Sequence, residues 1–287
     1  MNRGPLLFLS AFFALASSWF GYVLTPELQL GRMQPTNTVP AGITYPLARP
    51  GLARQGLEVY RANGCAACHS QQVGQTATVC DVLLTELGTN QPALLAALAK
   101  VKTNSSEANL RELFNPLPAT IDAGLSKEAA EAEVKGLSVG GAKAQISVRP
   151  TGPDIERGWG KRRTVAEDFL YDYPVMLGQL RIGPDLANIG ARSPGPNWHL
   201  LHLYSPRLEV AGSTMPPYRF LFERRKINRA RSPEALAWTD DPDYEIVPGP
   251  EAKALVAYLL SLRSDAPLFD APLTPMAALA NTNPPAK

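Results

Sequence analysis

Three cysteines, three histidines and a net charge of +2 in 287 residues remove several classes of protein at once. Three thiols cannot build a disulfide framework, so the fold does not depend on bridges. The near-balance of 28 Lys and Arg against 26 Asp and Glu leaves no basic excess to displace counterions, which excludes a nucleic-acid partner held by bulk charge. Long apolar runs are scarce too, and that excludes a polytopic membrane protein. What the chain does have is proline, 27 residues in all, nearly twice average usage, which predicts long irregular connections between helices. A hydrophobic content of 45% excludes wholesale disorder.

The one long apolar run, residues 5–24, carries no charge. As a helix it would span roughly 30 Å, the thickness of a bilayer core. Arg3 precedes it, and Trp19 and Tyr22 fall near its far end as interfacial aromatics would. Ala14-Leu15-Ala16 resembles a signal-peptidase site, so a cleaved signal is the alternative. The apolar run continues past that site to Leu24, which favours a retained single-pass anchor in a bacterial inner membrane, with the remainder in the periplasm. Residues 25–50 read as an extended linker rich in Pro, Gly and Thr. A short helix then ends at Asn63-Gly64, and a second, near 250–263, presents Leu255, Tyr258, Leu259 and Leu262 as one stripe. Residues 77–149 are richer in Ala, Leu, Glu and Lys and separate 51–76 from 150–264; residues 265–287 read as a flexible tail.

Cys65-Ala66-Ala67-Cys68-His69 is the attachment pattern of c-type haem. Two thiols one turn apart reach the two vinyl groups, and the adjacent histidine coordinates iron. Cys-x-x-Cys alone could be a redox dithiol or half a zinc site. The histidine directly after the second cysteine, in an exported chain with no second cysteine pair, favours one covalently bound haem c. Candidates for a sixth ligand are Met33, Met176, Met215, Met276, His199 and His202. Met215 is favoured, because Pro216 and Pro217 stiffen its loop and present the thioether, whereas Met176 lies in an apolar setting that suits a core residue. His199 and His202 are one helical turn apart with no third ligand nearby, so they read as hydrogen-bonded histidines. Trp198 has two readings, haem-edge packing with an indole N–H to a propionate, or plain core packing.

Gly183-Pro184-Asp185-Leu186 resembles the loop of class I cytochromes c in which the proline carbonyl accepts the N–H of the proximal histidine. Gly190-Ala191-Arg192 matches the position whose arginine contacts a haem propionate in that family. Gly152-Pro153-Asp154 repeats the tripeptide without a following Gly-x-Arg, and reads as a decoy. Asn63 to Gln72, Tyr171-Asp172-Tyr173-Pro174, the Pro184 loop, Trp198 to Leu203, and Met215-Pro216 with Tyr218 together resemble subunit II of the cbb3-type cytochrome c oxidases. The resemblance implies a mainly α protein, a transmembrane helix followed by a class I cytochrome c-like domain. It implies an electron-transfer subunit, not an enzyme on its own. Its partners would be the other oxidase subunits, a periplasmic or membrane electron donor, and the bilayer through one helix. The family's arginine-proline near Val73 is missing and occurs at Arg149-Pro150, as if a block had been inserted.

That block, residues 77–149, is similar to the C-terminal domain of the bacterial ribosomal large-subunit stalk protein. Cys80 to Leu84, Gln91 to Lys100, Leu117 to Ile121, Gly124 to Glu131 and Gly141 to Val148 carry the likeness, which implies three strands and three helices. The family's lysine-bearing first helix is mostly Ala and Leu here, from Ala93 to Ala99, which argues against translation-factor binding. Cys80 falls on the first strand as a small buried hydrophobe. Two other functional classes stay open at this point: an anchored cytochrome of another respiratory complex, such as nitric oxide reductase, and a haem-based sensor or scaffold.

Overall fold

The computed structural model describes residues 3–31, 33–37, 44–49, 51–138 and 141–268. Met276 and the tail beyond residue 268 lie outside the described residues. The chain divides into two units, residues 1–49 with 165–175, and residues 50–164 with 176–287.

In the first unit, helix α1 comprises α-helical Gly4–Trp19, a π-helical turn Phe20–Leu24 and α-helical Thr25–Leu30. It is long and apolar enough to cross a membrane by length and composition. The helix therefore runs past Leu24 into the stretch that composition assigned to the linker. Pro26 has no N–H to give and its ring would collide with the carbonyl one turn back. The widened turn accommodates it, with the Thr25 N–H and Oγ1 both donating to the Phe20 carbonyl. Strands β1 (Thr36–Asn37) and β2 (Thr44–Tyr45) form a two-residue antiparallel pair. Tyr45 Oη donates to Asp168 Oδ1 at 2.6 Å, Asp168 Oδ2 accepts from the Val165 N–H at 2.9 Å, and Arg49 pairs with Asp172. These side chains tie 165–175 to the segment after α1.

Two cores of the second unit matter most for the site and for the block at 77–149. The first is the crossing of α2 (Leu52–Ala62) with the C-terminal helix. In that crossing Leu57 and Tyr60 meet Leu255, Tyr258 and Leu259, and a Cβ on Gly56 would lie 1.9 Å from the Ala254 carbonyl oxygen. Only glycine permits so close an approach. The second core lies under the sheet β4-β3-β5, built from β3 (Ala77–Glu86), β4 (Ala119–Leu125) and β5 (Lys143–Thr151), all antiparallel. Helices α3 (Gln91–Val101), α4 (Glu107–Glu112) and α5 (Lys127–Leu137) cover one face. Asn90, Ser106 and Ser126 cap them by accepting from backbone N–H groups at the third residue on. Cys80, Val82 and Leu84 alternate inward from β3 onto Leu94, Leu98 and Leu137. Ala77 pairs with Thr151, so the block begins and ends at the same point of the sheet.

Short helices α6 (Pro153–Glu156) and α7 (Ile189–Arg192) follow, then α8 (Pro196–Tyr204), α9 (Pro206–Glu209) and α10 (Pro250–Ser261). Between α9 and α10, strands β6 (Phe222–Lys226) and β7 (Tyr244–Pro248) form a hairpin.

Candidate haem-binding site

Gly64 ends α2 in the left-handed region at φ +65°, turning the chain into a single 3₁₀ turn over Cys65–Ala67. The Cys68 and His69 N–H groups both donate to the Cys65 carbonyl, at 3.2 and 3.0 Å, which sets both thiols and the imidazole on one tight turn. Burial pushes the Cys65 thiol up to about 11. The attacking thiol of a redox dithiol needs a depressed pKa, which Cys65 lacks.

A second segment runs alongside the turn. The Gln71, Gln179 and Gly183 N–H groups donate to the Leu177, Ala66 and Cys68 carbonyls, at 3.0, 3.0 and 2.9 Å. Two glycines let it come that close. A Cβ on Gly178, where φ is +86°, would sit 2.4 Å from the His69 carbonyl oxygen, and one on Gly183 would sit 2.2 Å from His69 Cε1. His69 Nδ1 donates to the Pro184 carbonyl at 2.8 Å, which fixes the tautomer and leaves Nε2 as the ring's lone-pair donor. Burial lowers the ring's pKa, the Pro184 bond and Asp185 oppose this, and Arg192 adds to the lowering, so the imidazole is the neutral form a metal ligand requires.

The Met215 loop reaches the same core. Cys65, Ala66, Met215 and Tyr218 all pack against the α2–α10 cluster, and the Tyr218 N–H donates to the Leu203 carbonyl of α8 at 2.8 Å. Burial, then Cys65 and Cys68, raise the Tyr218 hydroxyl. Met215 is half-buried, whereas Met176 is buried inside the core cluster. Trp198 stacks on His202, centroids 4.8 Å apart and rings 7° from parallel, and meets His199 edge-on at 5.1 Å. His199 Nε2 donates to the Ser193 carbonyl at 2.8 Å. His202 Nδ1 is buried without a hydrogen-bond partner among the described residues, and burial, then His199 and His69, push the ring down to about 4. Among the described residues no three His, Cys, Asp or Glu side chains converge as a metal site. Arg192 directs its guanidinium to main-chain oxygens, Nη2 to Asp185 at 2.8 Å and Nη1 to Trp159 at 3.4 Å.

The donor set fits a covalently held haem: two thiols on one turn, a neutral imidazole with a free Nε2, and a half-buried thioether beside the same core. Residues 143–240 match the family model "cytochrome c oxidase, mono-heme subunit/FixO". That third of the chain is similar to the mono-haem subunit of a respiratory oxidase. The match takes in Pro184, Arg192, Trp198 and Met215 but lies beyond Cys65, Cys68 and His69. No curated protein matches the chain.

Sequence reasoning passed over the groups that hold this loop in place. Asp185 is fully buried; its Oδ2 accepts from Ser70 Oγ at 2.6 Å and the Gln72 N–H at 2.7 Å, and its Oδ1 from the Ala187 N–H at 2.8 Å. Asp154, in the tripeptide set aside as a decoy, is also buried and accepts from the Gly74 N–H at 2.7 Å and from Arg181 Nη1 at 2.8 Å. The recurrence of Gly-Pro-Asp was the one sequence signal available for both.

Proposed function

We propose that this chain is a membrane-anchored mono-haem c-type cytochrome that passes electrons to the catalytic subunit of a cbb3-type oxidase. Its soluble part faces the periplasm in a class I cytochrome c-like fold. Cys65 and Cys68 would hold the haem through thioether bonds, and His69 Nε2 and Met215 Sδ would be the donors to its iron. When bound, the haem supplies one-electron Fe(III)/Fe(II) cycling. The chain supplies the fixed environment: Pro184 orients the His69 ring, the Gly183 approach leaves the ring no room to swing, and the paired prolines after Met215 hold the thioether. Arg192 and Trp198 border the propionate side. Residues 77–149 form an inserted domain of the stalk-protein type that docks on a neighbouring oxidase subunit or donor.

The observation that carries this reading is the 2.8 Å His69–Pro184 hydrogen bond on the Cys65–Cys68 turn, which commits one ring nitrogen and frees the other. His/Met ligation places the potential above that of a bis-histidine haem. Met215→Ala therefore leaves haem covalently attached but lowers the potential and alters the oxidised spectrum, while Met176→Ala does neither. The reverse pattern would assign the sixth ligand to Met176. A stable sixth ligand suits electron transfer, whereas a gas sensor needs an open or labile position.

A further inference from the structure

Arg181 stands between two buried carboxylates, each delivered by a Gly-Pro-Asp tripeptide. Its Nη1 donates to both Asp154 oxygens, at 2.9 and 2.8 Å, its Nη2 donates to the Gln72 carbonyl, and its Nε donates to Ser70 Oγ at 3.1 Å. Ser70 Oγ in turn donates to Asp185 Oδ2 at 2.6 Å, and Arg181 Nη2 lies 4.0 Å from that same oxygen. One guanidinium and one carboxylate thus grip residues 70 and 72, directly after His69, from the two sides. Asp185 also follows Pro184, the acceptor of the His69 ring N–H. Asp185 is not there merely to fill space, since a buried carboxylate costs several kcal/mol of desolvation, whereas the Arg181 side chain is 39% exposed and keeps part of its hydration. The network spends that cost within a few residues of the proposed axial histidine.

We propose that Asp185 and Arg181 are positioning residues whose opposed charges set the reduction potential of the haem, Asp185 lowering it and Arg181 raising it. Oxidised haem carries one more positive charge than reduced haem, so the buried Asp185 carboxylate would favour the oxidised form at low local dielectric, and the part-exposed Arg181 guanidinium would favour the reduced form through a more screened field. Asp154 is the counter-charge that holds Arg181 in place. The inference rests on haem being carried at Cys65, Cys68 and His69.

Spectroelectrochemical titration of the purified full chain in detergent, with mediators as electron donor and acceptor, tests it; each titration moves one electron and makes no bond. Asp185→Asn should raise the potential and Arg181→Gln lower it, each by a several-fold change in the oxidised-to-reduced ratio at fixed ambient potential. Arg181→Lys, which keeps the charge, should fall closer to the parent than Arg181→Gln. The near-infrared sulfur-to-iron band should persist in all three. Shifts of the same sign, or none, would overturn the proposal, because loosened packing without a charge effect cannot move the two variants in opposite directions. If Asp185→Asn does not fold, Asp154→Asn replaces it, with a smaller upward shift expected and no shift counting against the idea. Parent protein without covalent haem would refute the underlying haem reading instead, a separate result visible in a pyridine haemochrome assay before any titration.

Discussion

Gly183→Ala adds one methyl group at the tightest contact of the site. The new Cβ would lie 2.2 Å from His69 Cε1, 2.7 Å from Nδ1 and 2.9 Å from Nε2, so it strikes the ring face rather than a flexible tip. Ordinary carbon–carbon contact is about 3.5–4.0 Å. Relief thus demands a movement of more than an ångström by the ring or by the 182–184 backbone. The backbone is tied by the Gly183 N–H to the Cys68 carbonyl at 2.9 Å, and the ring by its 2.8 Å bond to Pro184, so one of the two is lost whichever moves. Overpacking costs about 1–3 kcal/mol and the lost hydrogen bond about 0.5–1.5 kcal/mol, giving roughly 2–4 kcal/mol together. For a unit of this size that lowers Tm by roughly 4–15 °C. Circular-dichroism melting of the detergent-purified protein measures the shift, and a haemochrome assay measures haem per chain, which should also fall. A variant melting within a degree of the parent with full haem would show that the Gly183–His69 contact does not hold the ring.

Replacing residues 78–150 with a short Gly/Ser linker should preserve covalent haem and its potential, since Ala77 and Thr151 are already paired across the sheet; loss of haem incorporation would make the block part of the haem fold. Gly136→Ala, at an exposed helical position whose Cβ meets nothing within 4 Å, should stabilise α5 by about 0.5–1 kcal/mol, read as a higher urea midpoint for the block expressed alone. Tyr45→Phe removes the donor of a buried 2.6 Å bond to Asp168 and should cost about 1–3 kcal/mol, read as faster proteolysis within 165–175 than in the parent. Truncation before Met33 should therefore give a sturdier soluble protein than truncation at Arg49, which discards Tyr45 as well.

Features that depend on contiguous residues were legible in the sequence. An uncharged stretch of bilayer length is a statement about twenty neighbouring side chains, and its helix follows because each backbone bond closes within the segment. The Cys65–His69 motif carries its chemistry in five consecutive positions, and the change in composition at residues 77–149 marks a stretch with a sheet and core of its own. Contacts between distant residues had no such signal. Nothing in Gly152-Pro153-Asp154 as a string tells that its carboxylate meets Arg181, because that pairing exists only once β5 has returned beside β3 and delivered Asp154 next to Gly74. The same holds for Gly183, whose missing side chain matters only where the His69 ring lies across it, and for residues 165–175, which join the segment after α1 through Tyr45 and Arg49. Sequence alone pointed to the residues proposed to bind a haem, because their chemistry is local to short motifs. Tertiary structure decided which nitrogen of His69 is free and which buried charges surround it, since both follow from through-space distances that span more than a hundred residues of chain.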